Sequence, residues 1–159
     1  MKSIVLACLV ALSTPLFAQT VTQTAAPAPA VYNEQADARA ELNLALARAQ
    51  AQHKNVLVVF GANWCGDCLA LNKKMSAGAL AAHVDKRFVV LKVNVGRFDR
   101  NTDLAVQMGV PLKKGIPAVA VLKQGGEVQS ATGGGELADA RSMGDAAVLA
   151  VFESLPGHP

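Results

Sequence analysis

Val56-Leu57-Val58-Val59-Phe60-Gly61-Ala62-Asn63-Trp64-Cys65-Gly66-Asp67-Cys68 is the stretch on which the reading of this chain turns. Asn55 to Phe60 is an unbroken β-branched and aromatic run bounded by Gly61. Such a run reads as a central strand covered on both faces, where alternation disappears. From Trp64 to Met75 the spacing of Leu69, Leu71, Lys73 and Lys74 reads as a helix beginning at the cysteines. The pair therefore stands at a strand-to-helix junction. A helix N-terminus presents unpaired N–H groups and partial positive charge, and both favour a thiolate. Cys65, at the tip, is expected to be the more exposed and more acidic thiol. Cys68, a turn further in, is expected to be buried and protonated until needed. Their spacing lets both sulfurs meet on one turn, so an internal disulfide opens and closes without moving the fold.

Outward from this stretch, Glu34 to Gln52 is rich in helix formers. Ala36, Ala40, Leu44, Ala47 and Ala51 fall on one face, and Asn33 is placed to cap them. After Cys68, a break at Ser76-Ala77-Gly78 precedes a second helical stretch, Ala79 to Lys86. Phe88 to Val95 reads as a strand, and Asp103 to Met108 as a short helix closed by Gly109. Ala118–Leu122 and Glu127–Ala131, joined through Gly125-Gly126, form an expected hairpin. Gly133-Gly134-Gly135 is expected to be a flexible joint. A last helix over Asp145–Leu155, capped by Asp145, would bury Ala147, Val148, Val151, Phe152 and Leu155. This order predicts an α/β class with a central mixed β-sheet, helices on both faces and an antiparallel hairpin at one edge.

Lys2, the apolar run Ile4–Leu12 and the small-residue exit ending at Ala18 have the three parts of a secretory signal peptide. The run is short for a bilayer span. Residues 1–18 are read as a signal peptide cleaved after Ala18, with an uncleaved anchor as the alternative, and the protein as periplasmic or otherwise exported. Residues 19–32 follow as a Pro/Ala/Thr-rich linker, 33–156 as one domain and 157–159 as a tail. Cleavage removes Cys8 and leaves only Cys65 and Cys68 of the three cysteines. A pair this close encloses too small a loop to brace a fold, and suits reaction better. The net charge of +3 is scattered, so no nucleic-acid partner is expected. His53, His83 and His158 have no finger-like spacing to the cysteines, so no metal is expected.

The quoted segment resembles the active site of the thioredoxin family, and Gly115-Ile116-Pro117 resembles that family's Gly-Ile-Pro loop. The likeness runs over roughly residues 36–155. It implies a thioredoxin fold and thiol–disulfide oxidoreductase activity. In that reading Cys65 attacks a substrate disulfide and Cys68 resolves the mixed disulfide, with Trp64, Gly66, Asp67, Lys92, Ile116 and Pro117 as active-site neighbours. The resemblance further implies that Pro117 follows a cis bond beside the disulfide, guides substrate backbone and blocks metal capture. It also implies that Lys92, in Lys92-Val93-Asn94-Val95, is directed toward the buried cysteine.

Three departures stand out. Val59 occupies the place where the family often has a buried Asp, so a proton relay has to use water, Lys92 or Asp67. Asp67 replaces the usual proline, and a carboxylate near Cys65 opposes thiolate formation, which favours the disulfide and makes the dithiol more reducing. Val110-Pro111-Leu112-Lys113-Lys114 lengthens the connection into the Gly-Ile-Pro loop, so substrate choice is expected to differ from a general thioredoxin.

The resulting expectation is a monomer that exchanges electrons with protein disulfides or dithiols, on the reducing side. A membrane thiol carrier or another thioredoxin-fold protein would restore it, and the couple is the cysteine pair itself, with no organic cofactor. The alternative is a copper- or haem-pathway module that uses the two thiols as ligands.

Overall fold

The computed structural model describes residues 30–156. The expected signal peptide (with Cys8), most of the linker and the tail (with His158) lie outside the described residues. Helix α1 (Ala38–Gln52) is followed by β1 (Asn55–Gly61), α2 (Gly66–Lys74), α3 (Gly78–Arg87) and β2 (Phe88–Asn94). Then come α4 (Thr102–Gln107), a single 3₁₀ turn (Leu112–Lys114), β3 (Ala118–Leu122), β4 (Val128–Ala131) and α5 (Asp145–Ser154). The strands form a four-stranded sheet in the order β2-β1-β3-β4. β1 runs parallel to β2 and antiparallel to β3, and β4 closes the antiparallel edge. Among the described residues no helix is long and apolar enough to cross a membrane.

Every residue of β1 is buried, as its unbroken apolar run requires. Val56, Val58 and Phe60 pack with Ala38, Ala45 and Ala49 of α1 and Leu104 of α4. Leu57 and Val59, on the other face, pack with Leu71 of α2, Leu80 and Val84 of α3, and Val148 and Phe152 of α5. The sheet separates the two cores, α2 contributes Cys68 to one and Leu71 to the other, and β1 delivers its C-terminal end, Gly61, to the cysteine turn.

Three sequence expectations shift in register. The buried stripe of α1 is Ala38, Ala45 and Ala49, and Leu44, expected inside, is 63% exposed. In a helix with alanine on all sides, small side chains mark no face, and contact with the sheet selects the stripe. The cap is Asp37, whose carboxylate accepts from the N–H groups of Arg39 and Ala40 at 3.0 and 3.1 Å; Asn33 instead closes a turn onto Gln35. At α5 the capping position falls to Gly144. Asp145 lies in the first turn and pairs with Lys74 at 2.5 Å, and Ala147 is exposed.

The expected linker reaches too far into the fold. Tyr32 is 1% exposed, and its ring lies over Gly61, where an added Cβ would stand 2.3 Å from the phenol oxygen. Asn63 holds the same segment. Its side chain accepts from Tyr32 N–H at 2.9 Å, donates to the Tyr32 carbonyl at 2.8 Å, and donates to the Glu34 carboxylate at 2.9 Å. Composition hid this boundary because one aromatic at the end of a Pro/Ala-rich stretch carries no periodicity.

Candidate active site

β1 ends at Gly61, and a tight turn in which Cys65 N–H bonds the Ala62 carbonyl at 3.2 Å starts the next helix. Cys65 is the N-cap of α2, its sulfur accepting from Cys68 N–H at 3.1 Å. The two cysteines are joined as a disulfide with Cα atoms 5.2 Å apart. Cys65 is 6% exposed and Cys68 is 0%, so Cys65 is the less buried of the two. The Cys65 sulfur lies 3.6 Å from the Ile116 carbonyl oxygen, which brings the Gly115-Ile116-Pro117 loop against the pair. The Ile116–Pro117 bond is cis.

Trp64 stands outside the core, 49% exposed. Its indole N–H donates to the Gly96 carbonyl at 2.7 Å. Phe98 meets it edge-on at 6.0 Å, and the Arg97 guanidinium lies 5.5 Å from its ring centroid. Phe98 is itself 44% exposed and takes a φ of 67°, an unusual conformation for a bulky residue. The loop after β2 thus supplies an aromatic and a cation to the rim beside Cys65. Sequence reasoning missed both; the turn signal at Gly96 followed by Arg-Phe was the trace they left.

Lys92 pairs in register with Val59 across β1 and β2. Its ammonium donates to the Asn72 side chain at 2.5 Å, one turn along α2 from Cys68. The expected direction toward the cysteine becomes a contact one helical turn away. Burial lowers the Lys92 ammonium below the ordinary lysine range. A lysine whose folded pKa is depressed costs stability while charged, and the cost fades as pH rises through that value toward the unfolded lysine's pKa of about 10.4. Lys92→Met is therefore expected to gain stability relative to the parent at neutral pH, with the difference shrinking in alkali. Denaturant unfolding at both pH values checks this; a gap that widens with pH would contradict it.

Asp67 does not point its charge freely at Cys65. Its carboxylate accepts from the Arg141 N–H at 2.9 Å and faces the Arg141 guanidinium at 3.9 Å. Lys92 and Asp67, the two protein groups that sequence reasoning offered as a proton relay, thus have their contacts on Asn72 and Arg141.

Arg141 belongs to the segment between β4 and α5, whose start was expected to flex. The segment is pinned instead. Leu137 and Ala140 are fully buried. The N–H groups of Glu136 itself and of Gly134, Gly133 and Gly135 hold the Glu136 carboxyl below the ordinary range. Gly135, at φ 87°, passes so close to Lys114 that a Cβ would sit 2.7 Å from its carbonyl, a place only glycine fills. One strap therefore touches the lengthened 112–114 connection and the Gly66-Asp67 dipeptide together. Glycine-rich composition reads as freedom, and a neighbouring carboxylate that accepts the backbone N–H groups cancels it.

A family model described as thioredoxin-like matches residues 37–124. A thioredoxin of Chlorobaculum thiosulfatiphilum is 34% identical over 80 residues, covering 50% of this chain and 67% of that protein. Among solved structures, the disulphide isomerase of Xylella fastidiosa Temecula1 is 45% identical, with a TM-score of 0.74 over 79% of this chain and 95% of that one. The oxidised C-terminal domain of DsbD from Neisseria meningitidis shares the fold alone, at 20% identity and a TM-score of 0.53 over 76% of this chain and 97% of that domain. With the four-stranded mixed sheet and the Cys-x-x-Cys turn at the head of α2, these matches show that the chain belongs to the thioredoxin-like family and is a thiol–disulfide oxidoreductase of it.

Proposed function

We propose that the protein works as a dithiol outside the cytoplasm, reducing or reshuffling disulfides in exported protein substrates. The observation that carries this reading is the asymmetry of the pair: a slightly exposed Cys65 at the helix N-terminus and a sealed Cys68 behind it. The Cys65 thiolate attacks one sulfur of a substrate disulfide, forming a mixed disulfide and releasing a substrate thiolate. The Cys68 thiolate then attacks the Cys65 sulfur, closing the internal disulfide and releasing the second substrate thiolate. Two electrons pass to the substrate. Reduction and isomerisation both begin from the dithiol, and the 45% identical Xylella protein is described as a disulphide isomerase, which supports that working form. Trp64 and Pro117 border the docking face. The cysteine pair is the whole redox couple, and a membrane thiol carrier or a second thioredoxin-fold protein returns it to the dithiol. The leader-like residues 1–18 support export.

The test is the equilibrium of the Cys65–Cys68 couple with glutathione. A potential near the thioredoxin value, roughly −270 mV, is expected. One near roughly −120 mV would make the protein a disulfide donor and reverse the direction. A pair that never equilibrates with glutathione would move the copper- or haem-pathway module to the front, and Cu(I) retention against a chelator would then decide.

A further inference from the structure

We propose that Arg141 is a positioning residue that holds the Asp67 carboxylate off Cys65 and thereby sets how readily Cys65 becomes a thiolate; the proposal rests on the exchange reading above. Three contacts converge on this role. The Arg141 backbone N–H fixes one carboxylate oxygen at 2.9 Å. The guanidinium stands 3.9 Å from the other. The same guanidinium occupies the space over Gly66, 3.1 Å from where a Cβ would be, so any larger residue there would crowd it. Asp67 is 21% exposed, so its charge is poorly screened and acts on the neighbouring sulfur unless something opposes it. The helix N-terminus and Arg141 are the two opposing elements, and only Arg141 is a side chain that can be altered.

The other charged groups around the pair are committed elsewhere or solvated. Lys92 is on Asn72, Glu136 is in its own loop, and Asp99 accepts from Arg97 N–H. Arg97 lies on Trp64, and Lys113 and Lys114 are exposed. The strap is anchored by buried Leu137 and Ala140, so the fold presents the Arg141 backbone N–H to Asp67, while the guanidinium, on a side chain that is 73% exposed, stands 3.9 Å from the carboxylate. In this arrangement the Gly-Asp dipeptide and the segment before α5 form one functional unit, although 74 residues separate Asp67 from Arg141.

The experiment titrates the thiolate by its ultraviolet absorbance in the full chain carrying Cys8→Ala and Cys68→Ala, which leaves Cys65 alone. Arg141→Gln is expected to raise the midpoint by about half a unit. Arg141→Lys, which keeps the charge, is expected to stay near the parent. In an Asp67→Asn background the Arg141→Gln shift is expected to fall below half its size. With Cys68 restored, Arg141→Gln is expected to favour the disulfide about threefold in glutathione buffers above the midpoint, which is about 14 mV. An unmoved midpoint overturns the proposal. So does an equal shift with Asp67 or Asn at that position, because the guanidinium would then act without Asp67. A lysine variant that behaves like glutamine overturns it as well. The readouts separate the two levels: failure to exchange with glutathione sinks the exchange reading while the titration still tests Arg141, and exchange with an unmoved midpoint leaves the function standing and removes Arg141 from it.

Discussion

Cys65→Ser is expected to cut the rate of disulfide exchange by roughly three orders of magnitude or more, because it removes the less buried cysteine of the pair, at the head of α2. Cys68→Ser is expected to fail differently. Its first step survives, since Cys65 and the α2 N-terminus remain, but the mixed disulfide has no internal thiol to resolve it. The protein should therefore accumulate covalently linked to its substrate, visible as a reducible adduct in mass spectrometry, while Cys65→Ser forms none. The sign of this asymmetry follows from burial: Cys65 is 6% exposed and Cys68 is 0% exposed. If adducts formed instead through Cys68 in the Cys65→Ser variant, the assignment of attacker and resolver would be reversed.

Tyr32→Ala is expected to lower unfolding free energy by about 3 to 5 kcal/mol, in the range of other large buried aromatics cut to alanine. The side chain is 1% exposed, fills the space over Gly61 and joins the core that contains Phe60 and Cys65. The loss should be readable as a lower denaturant midpoint with an unchanged slope. Tyr32→Phe separates packing from titration. Burial pushes the Tyr32 phenol well above its ordinary range, so the folded state resists its ionisation. As pH rises past the unfolded phenol's value of about 10, the unfolded chain loses the proton first and stability falls. Tyr32→Phe should keep most of the neutral-pH stability and lose that alkaline decline. A Tyr32→Ala variant as stable as the parent would place residues 30–36 outside the folded unit.

What the sequence made legible is what short-range chemistry controls. β1 and β2 announce themselves because both faces of β1 are covered and no polar residue interrupts Val56–Phe60. The cysteine turn and the Gly-Ile-Pro loop carry their spacing in the letters. What stayed hidden depends on contacts far along the chain. The side of α1 that turns inward is set by the sheet, not by alanines that look alike from every direction. Tyr32 is buried because Asn63, far along the chain, ties down its backbone. Asp67 read alone is an acid beside a thiol; its environment became visible only when Arg141 arrived from the last connection. Lys92 likewise found Asn72, whose availability no local pattern signals.

The clasp of Tyr32 by Asn63 also sets where the chain enters the fold, next to Trp64 and the disulfide. α5 ends elsewhere. The backbone of Phe152 lies against His83, which neighbours Phe88, and Phe88 opens β2 at the end of the ladder opposite Gly61 and Asn94. For attaching the protein to a surface or to a fluorescent reporter, the two ends are therefore unequal. A group joined after Pro156 follows a helix that packs at the far end of the sheet, whereas one joined ahead of Ala30 precedes a segment clasped by Asn63, two residues from Cys65.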